Sequence, residues 1–225
     1  MWAFLFGALC VLCRQRVSGA DAQRRQLCCY CLADLPWLAL PEGEPSRGGP
    51  IRRQITPLRY EGAPRGWVLE AKRANGLIAA RVLGVLLAET LQDAYPAGVR
   101  RPDLLVPVPL SLPRLLRRGH NQAALIGEPV SRMLDIPLDR RVVRRRRHSA
   151  IQPGLSQAQR RANVADLFEC RRDLAGISVA LVDDVVTTGA TAEALARVLL
   201  EAGAADVHLW CPTGAHGAAT LAPLP

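Results

Sequence analysis

The stretch Val179–Thr191, Val-Ala-Leu-Val-Asp-Asp-Val-Val-Thr-Thr-Gly-Ala-Thr, constrains the fold of this chain more than any other. It continues a short apolar run, Ser178–Val182, with the pattern of a strand buried on both faces of a parallel sheet. The run delivers two acids, Asp183 and Asp184, at its carboxyl end. A loop of Thr187, Thr188 and Gly189 follows, then an Ala/Leu-rich helix over Thr191–Ala202 that stops at Gly203. Ligands of open α/β sheets bind at such carboxyl ends. A loop of free N–H groups running into a helix N-terminus is an anion nest. Gly189 lets the backbone come close, and the threonine hydroxyls add donors. The neighbouring acids accept hydrogen bonds from sugar hydroxyls, so the stretch predicts a site for a ribose 5-phosphate. An Asp-Asp pair alone is better explained as a helix cap; the full string is not. The Gly-Lys-Thr of a nucleotide-binding P-loop is absent.

The rest of the chain alternates between strand and helix patterns. Ile51–Tyr60 is a candidate strand closed by the turn-like Tyr60-Glu61-Gly62. Apolar residues recur at helical spacing from Gly66 to Leu91, as one or two helices with a break near Asn75-Gly76. Leu104–Pro109 reads as a buried strand entering a loop. Gly119–Leu134 reads as a helix interrupted at Pro129, and Val142–His148 as an exposed strand end or loop. Asp206–Cys211 is a last strand. This order predicts an α/β domain with a mostly parallel sheet flanked by helices. Receiver-like domains also place acids at a strand end, but here too little sheet follows them. With 49% hydrophobic and 22% charged residues the composition excludes a disordered chain. No apolar run reaches the roughly 18 residues of a membrane span, so no membrane insertion is expected. Met1–Leu12 is apolar but lacks a basic start and a small-x-small cleavage site, which predicts a cytoplasmic protein.

Five of the seven cysteines lie in the first 31 residues. Cys10-x2-Cys13 is followed, after 14 residues, by Cys28-x2-Cys31. Each pair makes a tight turn whose thiolates converge, and two facing turns complete a tetrahedral sulfur shell suited to Zn2+. Four thiolates fill that shell, so the zinc would be structural. Two disulfides would use the same residues in a secreted context. Cys29 is a spare thiol that can exchange with Cys28, although Cys28 keeps the two-residue spacing to Cys31. Cys170 and Cys211 read as ordinary buried thiols. Residues 41–50, Pro-Glu-Gly-Glu-Pro-Ser-Arg-Gly-Gly-Pro, break regular structure. The expected organisation is a zinc-ribbon-like domain over 1–41, a linker over 42–50 and the α/β domain over 51–225.

The chain carries a net charge of +9, and Lys72 is the one lysine among 29 basic residues. Residues 100–172 hold sixteen arginines against six acids, which accounts for the whole excess. Such a patch attracts phosphate, as a small polyphosphate or a nucleic-acid backbone, or is simply a solvated face. The run Arg144–Arg147 is read as solvated or facing nucleic acid.

Leu181–Thr191 resembles the phosphoribosyl diphosphate (PRPP) loop of type I phosphoribosyltransferases: a hydrophobic run, two acids, a short bridge, Thr-Thr-Gly and a small residue or Thr. A wider set of residues resembles the ComF family of competence and GntX-like proteins over about residues 10–211. These are the four-cysteine ribbon, Tyr60-x-Gly62, Lys72, Val106-Pro-Val-Pro109-Leu-Ser111 and Arg118-Gly-His-Asn-Gln122. To them are added Gln152-x-x-Leu155, Arg160-Arg-x-Asn163 and Phe168. His120 stands where Phe is common.

The resemblance implies PRPP as ligand, with Mg2+ on its diphosphate and ribose hydroxyls, and a phosphoribosyltransferase with an unidentified acceptor. Asp183 and Asp184, with Lys72, match catalytic positions. Both acids with Val185, Thr187, Thr188, Gly189, Ala190 and Thr191 match the PRPP-binding loop. Pro107, Val108, Arg118, Asn121 and Gln122 are candidates for the diphosphate side. Gln152, Arg161 and Asn163, with Arg160, are candidates for a hood closing over the site. The resemblance also links the chain to DNA uptake. The competing expectation is a non-catalytic PRPP-sensing factor associated with single-stranded DNA or the uptake machinery.

Overall fold

All five residues of Ser178–Val182 are buried, and this strand pairs in parallel on both sides. The structure is a computed structural model that describes residues 8–38, 49–146 and 167–215. In chain order its strands are β1 (Arg53–Ile55), β2 (Leu58–Arg59), β3 (Leu104–Pro107), β4 (Val143–Arg145), β5 (Phe168–Cys170), β6 (Ser178–Val182), β7 (Val185–Val186), β8 (Asp206–Trp210) and β9 (Thr213–Gly214). The helices are α1 (Ala20–Arg25), α2 (Cys29–Ala33), α3 (Gly62–Ala71), α4 (Leu77–Ala94), α5 (Leu112–Arg118), α6 (Gln122–Leu134) and α7 (Ala190–Glu201).

The main sheet has the order β1-β8-β6-β3, all parallel, and a second sheet has the order β2-β9-β7, also parallel. Each strand of the second sheet continues one of the first after a two-residue break. The breaks fall at Thr56-Pro57, Cys211-Pro212 and Asp183-Asp184. Proline cannot donate to a ladder, so two of the three strands must leave the sheet there. The acid pair occupies the same line. β4 and β5 form a separate antiparallel ribbon.

Side chains of β6 alternate between two cores. Ala180 and Val182 join Leu83, Leu86 and Leu87 of α4 and Ile126 and Val130 of α6. Val179 and Leu181 join Leu195 and Leu199 of α7 and Val207 and Leu209 of β8. Helices α4 and α6 approach closely because Gly84 has no side chain; a Cβ there would lie 2.4 Å from the Ile126 carbonyl oxygen. The sheet is thus flanked by helices on both faces, as the strand–helix alternation predicts. The N-terminal segment shares the first core: Cys10, Val17, Leu27 and Leu35 pack with α3 and α4. Arg25 Nε pairs with Glu89 Oε2 at 2.5 Å, and Trp37 bridges to Leu58. Among the described residues no helix is long and apolar enough to cross a membrane.

Three expectations for local structure are corrected. Ile51–Tyr60 is not one strand, because Thr56-Pro57 divides it into β1 and β2. α6 is not interrupted at Pro129, which is buried inside a continuous helix. The loop expected after Pro109 contains α5, entered through Ser111 with a proline in its first turn and closed by Gly119 at φ +78°. Of the two cysteines expected to be buried, Cys211 is, but Cys170 is left half-exposed. The 41–50 stretch, apart from Gly49 and Pro50, lies outside the described residues.

Candidate functional site

The break in β6 fixes the acid pair through its backbone. Asp183 N–H donates to the Trp210 carbonyl at 3.2 Å. Asp184 N–H donates to Asp183 Oδ1 at 2.9 Å. The hydroxyl of Thr213, itself fully buried, donates to the Asp184 carbonyl at 2.8 Å. Asp184 is buried, and its Oδ2 faces two donors. Lys72 Nζ, at the end of α3, lies 3.0 Å away, and Gln122 Nε2, at the start of α6, donates at 3.4 Å. Gln122 Oε1 in turn accepts from Arg118 at the end of α5, at 2.9 Å. Three helix ends and one strand end therefore converge on a single carboxylate.

Asp183 is half-buried and has no such cation at contact distance among the described residues. Desolvation raises its carboxyl well above the ordinary range, and the Asp184 charge adds to this. The Asp184 backbone N–H and the Lys72 charge offset it only in part. A carboxyl in that condition gains from each hydroxyl donor brought to it.

The loop beyond the acids is shaped for an anion. Thr187 and Thr188 are exposed. Gly189 takes φ +74° as it opens α7, a left-handed conformation that favours glycine. Thr188 Oγ1 accepts from Ala190 N–H at 3.5 Å. A recess of about 60 Å3 is lined by Asp183, Val185 and Val186, the Thr187–Thr191 loop, Ala192, Leu209 and Cys211.

On the other side, the loop after β3 is tied beside the acids. Val108 N–H donates to the Val182 carbonyl at 2.9 Å, and Pro107 pairs with Val182 in the sheet. Asn121 caps α6 by accepting from Ala123 N–H at 3.0 Å and donates to the Val108 carbonyl at 3.0 Å. His120 Nε2 bonds the Ala71 carbonyl at 2.8 Å, which fastens the α5–α6 turn next to Lys72.

Lys72, Pro107, Val108, Arg118, Asn121, Gln122, Asp183 and Asp184 thus meet, with Val185–Thr191 adjoining. Gln152, Arg160, Arg161 and Asn163 lie outside the described residues. Sequence reading missed Thr213 and the role of His120 as a fastener. A threonine after a proline carries no pattern signal, and the His120 contact joins residues far apart in the chain.

The four cysteines form a second centre. The Sγ atoms of Cys10, Cys13, Cys28 and Cys31 all lie within 4.8 Å of one another, and Cys13 and Cys28 sulfurs are 3.7 Å apart. A tetrahedral zinc with Zn–S near 2.3 Å separates its sulfurs by about 3.8 Å, so the donor set fits that ion. All are free thiols. Cys28 Sγ accepts from Cys31 N–H at 3.4 Å as it caps α2. Cys29 is exposed and not part of the cluster. Burial raises the Cys10 thiol, but backbone hydrogen bonds at Cys13, Cys28 and Leu12 outweigh it and bring it down to about 6. Cys31 is pushed up to about 12, chiefly by its neighbour Cys28. Packed thiols that compete for one charge are what a dication resolves.

The model of the phosphoribosyl transferase domain matches residues 120–223, the part of the chain that holds α6, the acid pair and the threonine loop. The glutamine PRPP amidotransferase of B. subtilis is 24% identical, covers 60% of this chain and 26% of its own, and superposes with a TM-score of 0.42. The DNA utilization protein YhgH of Escherichia coli K12 is 33% identical over 216 residues, 90% of this chain and 95% of that protein. Competence protein F of Haemophilus influenzae is 30% identical over 220 residues, 91% and 96% of the two chains. Competence protein ComFC of Bacillus subtilis is 36% identical over 119 residues, 52% and 45%. The chain belongs to the ComF family, with YhgH and competence protein F.

Proposed function

We propose that this protein binds PRPP at the acid pair and threonine loop and transfers its phosphoribosyl group to an acceptor. The observation that carries the reading is the convergence of Lys72 and Gln122 on Asp184 Oδ2 beside the Gly189 turn. Lys72 and Gln122 occupy Oδ2, and the orientation this imposes leaves Oδ1 for a ribose hydroxyl. Asp183, poorly stabilised as an anion, accepts a second. The Thr187–Thr191 loop holds the 5-phosphate, and the Val108 loop faces the diphosphate.

Among the described residues the four cysteines are the only group of three or more His, Cys, Asp or Glu ligand atoms placed to hold a metal. Mg2+ would arrive on the diphosphate and ribose oxygens of PRPP, where it would neutralise the leaving group. In the transfer, the C1–O bond to diphosphate breaks with its electron pair on the diphosphate. The lone pair of the acceptor forms the new bond at C1, and the proton of the acceptor passes to solvent. The protein acts in the cytoplasm, where free thiols persist and Zn2+ holds the cysteine cluster.

A second reading follows from the names of the relatives, which concern DNA utilization and competence. In it the chain binds PRPP without transferring it and acts with single-stranded DNA during uptake. Diphosphate release from PRPP and Mg2+, followed over a panel of candidate acceptors, separates the two. Release that disappears in Asp183→Asn/Asp184→Asn supports transfer. Retained PRPP binding with no release on any acceptor favours the sensing role.

A further inference from the structure

Helix α5 turns its apolar side outward. Leu112, Leu115 and Leu116 recur at helical spacing and form one stripe, and Arg114, Arg117 and Arg118 take the other side. No residue of α5 is buried, and Leu116 is 75% exposed. A stripe at this spacing ordinarily faces the core of its own chain. Here the helix is tied down at its carboxyl end. Arg118 donates to Gln122, Asn121 donates to the Val108 carbonyl, and His120 bonds the Ala71 carbonyl.

A groove of about 670 Å3 opens between the cysteine-bearing segment and the start of α3. Leu12, Leu35, Pro36 and Ala63 give it apolar walls, and Asp34 and Glu61 add two carboxylates. Its volume lies in the range of sites that enclose a ligand. Apolar walls with acids are the complement of an apolar stripe with arginines, yet α5 of the same chain does not line the groove. The two features sit at opposite ends of one helix. Gly62 and Ala63 line the groove at the first turn of α3. At the last turn, His120 fastens the end of α5 to Ala71 at 2.8 Å. α3 has ten residues, a length of about 15 Å. Arg65, Gly66, Leu69 and Glu70 along it are exposed. The space beside Gly66 is open, so a second backbone can approach there.

We propose that this protein pairs with a second copy of itself, with α5 of each copy lying in the groove of the other. A two-fold axis crossing α3 near Gly66 sets two α3 helices antiparallel. It thereby brings each α5 over the groove of the other copy, and the same contact forms twice. The leucines enter the apolar walls as helix anchors in a groove, and Arg114 and Arg117 face Asp34 and Glu61. The pairing does not depend on what the acid pair binds, although α5 ends in the arginine that hydrogen-bonds Gln122 beside Asp184.

Sedimentation equilibrium of the full chain tests this. The wild type is expected to be a dimer at about 0.1 mM. Leu116→Asp puts a carboxylate in the apolar stripe, and Asp34→Arg reverses the charge of the groove. Each should weaken the dimer at least about tenfold. Both positions are exposed, so the circular dichroism of the variants should match the wild type. Mixed in equal amounts, the two variants should pair with one another. One contact of the mixed dimer is then intact, and in the other the two introduced charges are opposite. A monomeric wild type, a dimer that neither variant weakens, or variants that stay monomeric when mixed overturn the proposal. So does a monomeric wild type whose binding to a short oligothymidylate is lost in Leu116→Asp, which would make α5 a nucleic-acid contact instead.

Discussion

Replacing Lys72 with Met leaves Asp184 as a buried anion beside Asp183 with no cation at contact. The Asp184 side chain is 6% exposed and that of Lys72 27%. Breaking a fully buried pair from one side costs about 3–5 kcal/mol. Water reaches Lys72, so screening lowers the figure to about 2 kcal/mol. For a chain of this size that corresponds to a fall in melting temperature of about 4–8 °C. Asp184→Asn is milder, because the amide still accepts from Gln122 and Lys72 can turn to solvent. The double variant Lys72→Met/Asp184→Asn removes the stranded charge and should regain at least about 1 kcal/mol of the Lys72→Met loss. Thermal melts of the four proteins in one buffer read this cycle directly. A Lys72→Met protein that melts with the wild type, or strictly additive losses, would show that Asp184 is solvated and Lys72 a surface residue, refuting the site as described.

Two further outcomes concern the cysteine cluster and a buried histidine. The protein should contain one Zn2+ per chain, and chelation or Cys13→Ser should remove it and lower the melting temperature. Cys29→Ser should leave zinc content unchanged; metal analysis with a melt checks both. His208, buried in β8, should make folding acid-sensitive. Its Nδ1 accepts from the Tyr95 hydroxyl at 2.6 Å, and its Nε2–H lies 3.3 Å from Asp206 Oδ1. Burial holds it down to about 4, below its ordinary 6.5. The unfolded chain therefore takes up the proton first, and stability present above about pH 6.5 declines toward pH 4, by about 3 kcal/mol in all. Asp206 is held below its ordinary range despite burial, through Ser178, His208 and Arg52, so its contribution is lost in a lower window, below about pH 3.8. Melts from pH 7 to 4.5 should fall less steeply for His208→Gln than for wild type; parallel curves would exclude His208 as the source.

How much of this was legible in the sequence depended on whether the signal was local. The strand, acids, threonine loop and helix of 178–202 are contiguous, so their order alone places an anion nest at a strand end. The cysteine spacing likewise carries its own geometry. α5 was missed because seven residues make fewer than two turns, too few for apolar periodicity to register. Its signals were Ser111, Pro113 and Gly119, and the neighbouring prolines suggested a loop instead. Pro129 suggested a break, but a long apolar face packed on α4 outweighs one lost hydrogen bond. The contacts that make the site, Lys72 and Gln122 to Asp184 and Thr213 beneath it, join elements more than sixty residues apart except for the last. Only the order of strands across the sheet brings them together.

Calorimetric titration of the magnesium-containing wild-type protein with PRPP addresses the central claim most directly. The account predicts saturable binding with one molecule per chain, weakened at least about tenfold when Asp183 and Asp184 are both replaced by Asn. An absence of heat in the wild type, or equal affinity in the double variant, would contradict it.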